Sequence, residues 1–226
     1  MARKPDRDHA PTKSNRERII DAVLALLAER PIEEIGFGDI AGRAGLTLAE
    51  CRGEFGSVLA VVAAHMKETD RQVLAGQDAE TGEESPREQL FDVLMRRLEV
   101  LTPHRDAIRS LVRSASRNPG LAFALNGLTV RSLQWMLTAA NIGAAGPKGM
   151  LRAQGLAMLY APVLRTWLDD DDPGLARTMA ALDRGLARGA RWAGLLEDIW
   201  RLAPSRCLPG RRRRRARDRG EEEVAA

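Results

Sequence analysis

Cysteine is almost missing from this chain: two in 226 residues, Cys51 and Cys207, far apart and without ligand-type spacing. That pair gives no disulfide framework and fits a reducing cytosol, so a cytoplasmic protein is expected. Aromatic residues make up only 4% of the sequence. The longest uncharged stretch, Ser132 to Pro147, is too short and too polar to cross a bilayer, so no membrane span is expected. The amino terminus carries charges but lacks the apolar segment of a secretory signal. There is no Val/Ile/Thr-rich alternating run, hence no expected sheet, and no internal repeat. His9, His65 and His104 are scattered and suggest no metal site. Ser/His/Asp and Cys/His arrangements, a phosphate-binding glycine loop and paired carboxylates in a recognisable setting are all missing. These gaps argue against an enzyme and against a cofactor.

What remains is a charged, helix-favouring sequence. Hydrophobic residues account for 44% and charged residues for 29%, proportions of a globular protein, and the Ala/Leu/Arg bias favours helix. The formal net charge of +4 is unevenly placed. From Arg201 to Ala226 nine Arg face four acids, so the remaining 200 residues are close to neutral at −1. The run Arg211 to Arg215, with Arg217 and Arg219, suits phosphates without sequence preference; a solvated tail with no dedicated partner explains it equally well.

Four segments follow from pattern and punctuation. Residues 1–13, with Pro5 and Pro11, read as a flexible arm. Residues 14–57 read as a helix-turn-helix domain, 58–202 as a helical body, and 203–226 as a disordered Arg-rich tail. Ser14-Asn15-Arg16-Glu17 has the form of a capping box, in which a Ser hydroxyl and a Glu three residues on satisfy each other's backbone N–H groups. Behind it Ile19, Ile20, Val23, Leu24, Leu26 and Leu27 recur at helical spacing, and Pro31 stops the run. Gly36 to Ser57 then reads as a short helix with Ile40 and Ala41 inward, a left-handed turn at Gly45, and a second helix opened by the capping box Thr47-Leu48-Ala49-Glu50. A helix presented in this way suits the DNA major groove.

Val58 to Gln77 reads as a long helix leaving this motif, followed by a Gly/Thr/Glu-rich loop, Gly76 to Ser85. Leu90, Phe91, Leu94, Leu98 and Leu101 stripe the next helix, and Ile108, Leu111, Val112 and Ala115 the one after it. Leu121 to Asn141 follows, ending in a glycine-rich break from Gly143 to Gly149. Leu156 to Leu164 is apolar nearly all round, which marks a buried or interface helix, with a kink expected at Pro162. Asp172-Pro173 has the form of an Asp cap with Pro in the first helical position, ahead of a seam of Leu175, Met179, Leu182 and Leu186. The fold class expected is all-α: a helix-turn-helix headpiece on a larger helical ligand-binding and dimerisation body.

Arg18-Ile19-Ile20 and Ala22, Asp39-Ile40-Ala41 with Ala44-Gly45, and Thr47 with Phe55-Gly56-Ser57 together resemble the TetR/AcrR family of transcriptional regulators. The resemblance covers about the first quarter of the chain. Trp167 to Pro173 and Thr178 to Arg184 are similar to the carboxyl-terminal part of the ubiquinone-biosynthesis accessory proteins, which share the fold and bind lipid. The resemblance implies a homodimer through the last two long helices, a double-stranded DNA operator, and a small apolar effector or lipid in the body. By residue type and place on the two helices, Arg43, Thr47, Leu48 and Arg52 are the candidate DNA contacts. The chain departs from the family at two places, with Arg52 where a Tyr is usual and Val58 where a Lys commonly meets phosphate. Between Pro31 and Met66 two Arg face five acids, a net of −3 that opposes DNA binding.

Each candidate has a simpler counterpart. Arg52 and Arg43 suit phosphate or base edges but equally suit solvent and neighbouring Glu. Thr47 and Glu50 are explained as caps, and Arg3, Lys4 and Arg7 as an arm diluted by Asp6 and Asp8. Phe123, Trp135, Met136, Met158, Tyr160 and Trp167 are candidate pocket residues, although such residues at helical spacing are often plain core. Asp169 to Asp172 suit a cap and a linker better than a cation, because consecutive side chains diverge. Two readings stay open: a ligand-responsive regulator, or a lipid-binding accessory protein with a degenerate helix-turn-helix.

Overall fold

The computed structural model describes residues 13–76 and 85–202, with side chains through Gly189. Most of the arm, the loop after Gly76 and the Arg-rich tail lie outside the described residues. Contacts divide the chain into a unit of residues 1–189 and a second of residues 190–226. Of the second unit, the described part is helical and runs to Leu202.

The described elements are all helical: α1 Asn15–Glu29, α2 Phe37–Ala44, α3 Leu48–Glu54, α4 Val58–Ala75, α5 Pro86–Leu101, α6 Arg105–Arg117, α7 Pro119–Ala139, α8 Gly146–Leu168 and α9 Ala176–Leu202. Single 3₁₀ turns at Ile32–Glu34 and Thr102–His104 join α1 to α2 and α5 to α6. Reciprocal capping boxes open α1 at Ser14/Glu17, α3 at Thr47/Glu50 and α5 at Ser85/Glu88. Each satisfies two backbone donors that the first turn leaves without partners.

Two hydrophobic cores form. In the first, Ile19, Leu27, Ile40, Cys51 and Val61 pack together with Ala107 and Leu111, so α6 reaches into the headpiece. In the second, Leu94, Leu98, Leu133, Met136, Trp167 and Leu182 bring α5, α7, α8 and α9 together. α4 belongs to both, giving Val61, Val62 and Ala64 to the first and Val73 to the second. α4 thus runs from the headpiece core into the body core.

Two expected boundaries move. The glycine-rich break is shorter than its composition suggests, since α8 already begins at Gly146, which has φ +68°. Gly149 lies in the first turns of α8, where a Cβ would fall 2.0 Å from the Ala144 carbonyl carbon. Close backbone approach, not a loop, explains that glycine. Pro173 is not the first residue of α9, which starts at Ala176 after Leu175 turns through φ +50°. The cap comes from further back: the Asp170 carboxylate accepts from the Thr178 N–H at 2.8 Å and the Thr178 hydroxyl at 2.7 Å. The expected cap Asp172 contributes as well: it accepts from Gly174 N–H at 3.1 Å in the preceding turn and from the N–H of Ala176, the first residue of α9, at 3.3 Å. Pro162 lies within α8, which runs unbroken to Leu168.

Candidate nucleic-acid interface

The second helix of the helix-turn-helix has only seven residues, too few to stand alone. Three anchors hold it. Gly45 takes the left-handed conformation, φ +63° and ψ 41°, that ends α2 and turns the chain into α3. Arg18 of α1 donates from Nη2 to the Ala44 carbonyl at 2.6 Å and the Gly45 carbonyl at 2.9 Å, occupying acceptors that the end of α2 leaves free. Cys51 is wholly buried and Phe55 nearly so, pinning the inner side of the helix. Burial in this apolar setting pushes the Cys51 thiol above its ordinary pKa, so it serves as packing.

Thr47, Leu48, Ala49, Glu50, Arg52 and Gly53 are left facing outward. Leu48 is 58% exposed although it is a large apolar side chain. The Thr47 hydroxyl and backbone N–H both donate to Glu50, at 2.7 and 2.8 Å, and those bonds hold the Glu50 carboxyl below its usual pKa. Thr47, Leu48 and Arg52 thus share one exposed helix.

Arg43 does not share it in the same way, because its guanidinium is held in a two-pronged pair with Glu29 at 2.7 and 2.9 Å. Other headpiece cations are engaged likewise: Lys13 with Asp21, Arg30 with Asp39, and Arg16 with Glu54 and the Phe55 ring. Arg52 is different. It has no ion pair among the described residues, and its Nη1 lies 3.3 Å from where a Cβ on Gly56 would stand. The missing side chain at Gly56 leaves room for that guanidinium beside the junction with α4.

The pocket candidates separate. Met136 and Tyr160 are buried in the second core, with Trp167. Phe123, Trp135 and Met158 are on the surface, 81%, 57% and 71% exposed. An open groove of about 710 Å³ lies elsewhere, between α5 and α9, with Phe91 and Met179 inside it and an Arg87–Asp183 pair at 2.6 Å. The acidic run is divided among structural tasks, since Asp169 pairs with Arg109 at 2.7 Å while Asp170 and Asp172 shape the approach to α9. No cluster of three metal-ligating side chains occurs among the described residues, and no described helix is long and apolar enough to cross a membrane.

Sequence reasoning used Arg18 only for the family resemblance and missed its hydrogen bonds, which cannot be read from a stripe of apolar residues. It also missed a buried pair, Asp70 of α4 with Arg97 of α5. A signal for Arg97 was present: it stands between Leu94, Leu98 and Leu101, on the apolar stripe of its own helix.

No family model matches the chain, and no curated protein matches it. Solved structures do. A TetR transcriptional regulator from Nitrosomonas europaea ATCC 19718 aligns with a TM-score of 0.62 at 22% identity, over 79% of this chain and 99% of that one. The chain has the fold of TetR-family transcriptional regulators. A TetR transcriptional regulator from Rhodococcus sp. RHA1 gives 0.57 at 21% identity, over 77% and 95% of the two chains. A tetR-family regulator from Streptomyces coelicolor gives 0.53 at 15%, over 83% and 87%. At these identities the likeness is one of fold, and what this TetR-like chain does has to be argued from its own residues.

Proposed function

We propose that this chain is a DNA-binding transcriptional regulator, a repressor, that works as a homodimer and responds to a small apolar molecule held in the body. The observation that carries the reading is the capped, outward-facing α3 with Arg52 as its unengaged cation. Thr47, Leu48 and Arg52 would meet the major groove, with the paired Arg43 at its margin. The effector would favour a second seating of α4, and with it a headpiece position that fits DNA less well.

The dimer is supported by α8. Leu151, Gly155, Met158 and Pro162 form an exposed apolar stripe along it at spacings of four, three and four. Gly155 at the centre has open space where a Cβ would be, which suits close approach of the same helix from a second copy about a two-fold axis. Met158→Glu places a charge in that contact. It is expected to raise the dimer dissociation constant about 100-fold, roughly 2.7 kcal/mol, read by light scattering across a dilution series. An unchanged constant would move the dimer contact off α8.

The deciding experiment is binding of full-length protein and residues 1–202 to the DNA upstream of its own gene and to scrambled DNA, at two salt concentrations. The preference for the upstream DNA is expected to survive removal of the tail, whose Arg run would contribute only salt-sensitive affinity. Arg52→Ala is expected to reduce that preference roughly 10- to 100-fold. The engagement of the other headpiece cations favours a second reading, a lipid-binding accessory protein whose helix-turn-helix no longer reads DNA. That reading gains if all affinity disappears with the tail and a lipid copurifies.

A further inference from the structure

Four polar side chains meet inside the otherwise apolar body. Asp70 of α4, Arg97 of α5, Ser132 of α7 and Tyr160 of α8 are each more than nine-tenths buried. Arg97 Nη1 and Ser132 Oγ both donate to the same carboxylate oxygen, Asp70 Oδ1, the hydroxyl at 2.6 Å. Two donors in the cluster are unspent. Arg97 Nε–H and the Tyr160 O–H are shut away from solvent and find no acceptor, while the Tyr160 oxygen itself is within hydrogen-bonding reach of the Arg97 guanidinium. The Tyr160 hydroxyl lies in the field of the Arg97 guanidinium and the Asp70 carboxylate.

Such a cluster is costly as pure architecture. Apolar side chains of similar volume would hold the helices at least as well, and unmatched buried donors add to the cost. The charge balance says what would complete it. Asp70 already neutralises Arg97, so either an anion or a cation would leave a net charge in the core. A neutral acceptor oxygen suits both free groups at once.

We propose that Arg97 Nε and Tyr160 Oη form the polar end of the effector site, taking the carbonyl oxygen of a small, neutral, mostly apolar molecule. This rests on the ligand-responsive reading above and narrows the effector from apolar molecules in general to neutral carbonyl compounds. Val73, Leu94, Leu98, Leu133 and Met136 of the same core would receive the apolar part. Both donors are closed off in this conformation, so a bound carbonyl must favour an arrangement in which α5 and α8 admit it. Asp70, gripped by Arg97, carries that rearrangement to α4 and so towards the headpiece.

The test uses the full chain without DNA and three matched probes: acetophenone, benzoate and ethylbenzene. Calorimetry and thermal shift are expected to give acetophenone a dissociation constant at least tenfold below those of benzoate and ethylbenzene. Tyr160→Phe removes one unspent donor while keeping the ring in place, so it should fold as the parent does. It is expected to weaken acetophenone binding five- to tenfold and leave ethylbenzene unchanged. Equal binding of ethylbenzene, tighter binding of benzoate, no binding of acetophenone, or an unaltered Tyr160→Phe variant would each overturn the proposal. Operator affinity is measured separately with and without acetophenone. If carbonyl binding stands while DNA preference is missing, the regulator reading fails and the site survives.

Discussion

Arg97→Met, in an otherwise unchanged chain, is expected to lower the unfolding free energy by about 3–5 kcal/mol. The Met side chain fills much of the same volume, so lost packing is a small part of the effect. The large part is electrostatic. Asp70 would keep one hydrogen bond, from Ser132, and would stand as an uncompensated carboxylate between α4, α5, α7 and α8. Pairing Arg97→Met with Asp70→Leu removes both charges and should restore most of the loss. Urea unfolding of the parent, the single and the double variant measures this, provided the slope with denaturant stays constant. A single variant within about 1 kcal/mol of the parent would mean that Asp70 reaches water once Arg97 is gone, and α4 would then owe its seating to Val73 and its apolar neighbours alone. The experiment also isolates the tie between α4 and the body on which the proposed coupling to DNA depends.

The parts of this protein that could be read from its sequence are those fixed by local chemistry. Thr47 and Glu50, three residues apart, announce a capping box whatever surrounds them, and Gly45 announces a left-handed turn. The start of α9 falls three residues after Pro173: Asp172 does reach the Ala176 N–H, but the shorter bonds, from Thr178 to the Asp170 carboxylate, act across eight residues and a turn. Phe123, Trp135 and Met158 illustrate a second limit. Helical spacing does not show which side of a helix turns inward, and here Phe123 and Trp135 of α7 and Met158 of α8 face outward while Met136 and Tyr160 face in. Arg43 illustrates a third. Its type and position suit a phosphate, yet the folded chain brings Glu29 of α1 to it from 14 residues away. The sequence makes Arg52 a candidate; that it lacks an ion pair while Arg16, Arg30 and Arg43 each have one follows only from the three-dimensional arrangement.

Acidification from pH 6.5 towards about 5 is expected to weaken the fold before the carboxylates become involved. The reason is His65 of α4, whose ring meets that of His104 edge-on at 5.0 Å between centroids. Its Nε2 is buried without a partner. Burial, with His104 and then Arg97 adding repulsion, pushes the His65 pKa down to about 4, against weaker help to the charged form from Asp21 of α1 and Glu68 of α4. Burial lowers His104 as well. An unfolded chain protonates His65 near pH 6.5, while the folded chain refuses that proton until about pH 4. Stability from this group is therefore complete above pH 6.5 and lost as pH falls towards 4, by roughly 3 kcal/mol at most. The carboxyls held below their usual pKa, among them Glu17, Glu50, Glu88 and Asp170, act in a lower window, since the unfolded chain gains their protons only as pH falls through the ordinary carboxylate range. His65→Met should remove most of the slope between pH 6.5 and about 5, leaving the part that His104 contributes, and should not change the steeper loss below it. If the variant keeps the upper slope in urea titrations at stepped pH, the acid-sensitive group is not His65. Because His65 stands on α4 between Ala64 of the headpiece core and Val73 of the body core, its protonation loosens the part of the chain that joins the two.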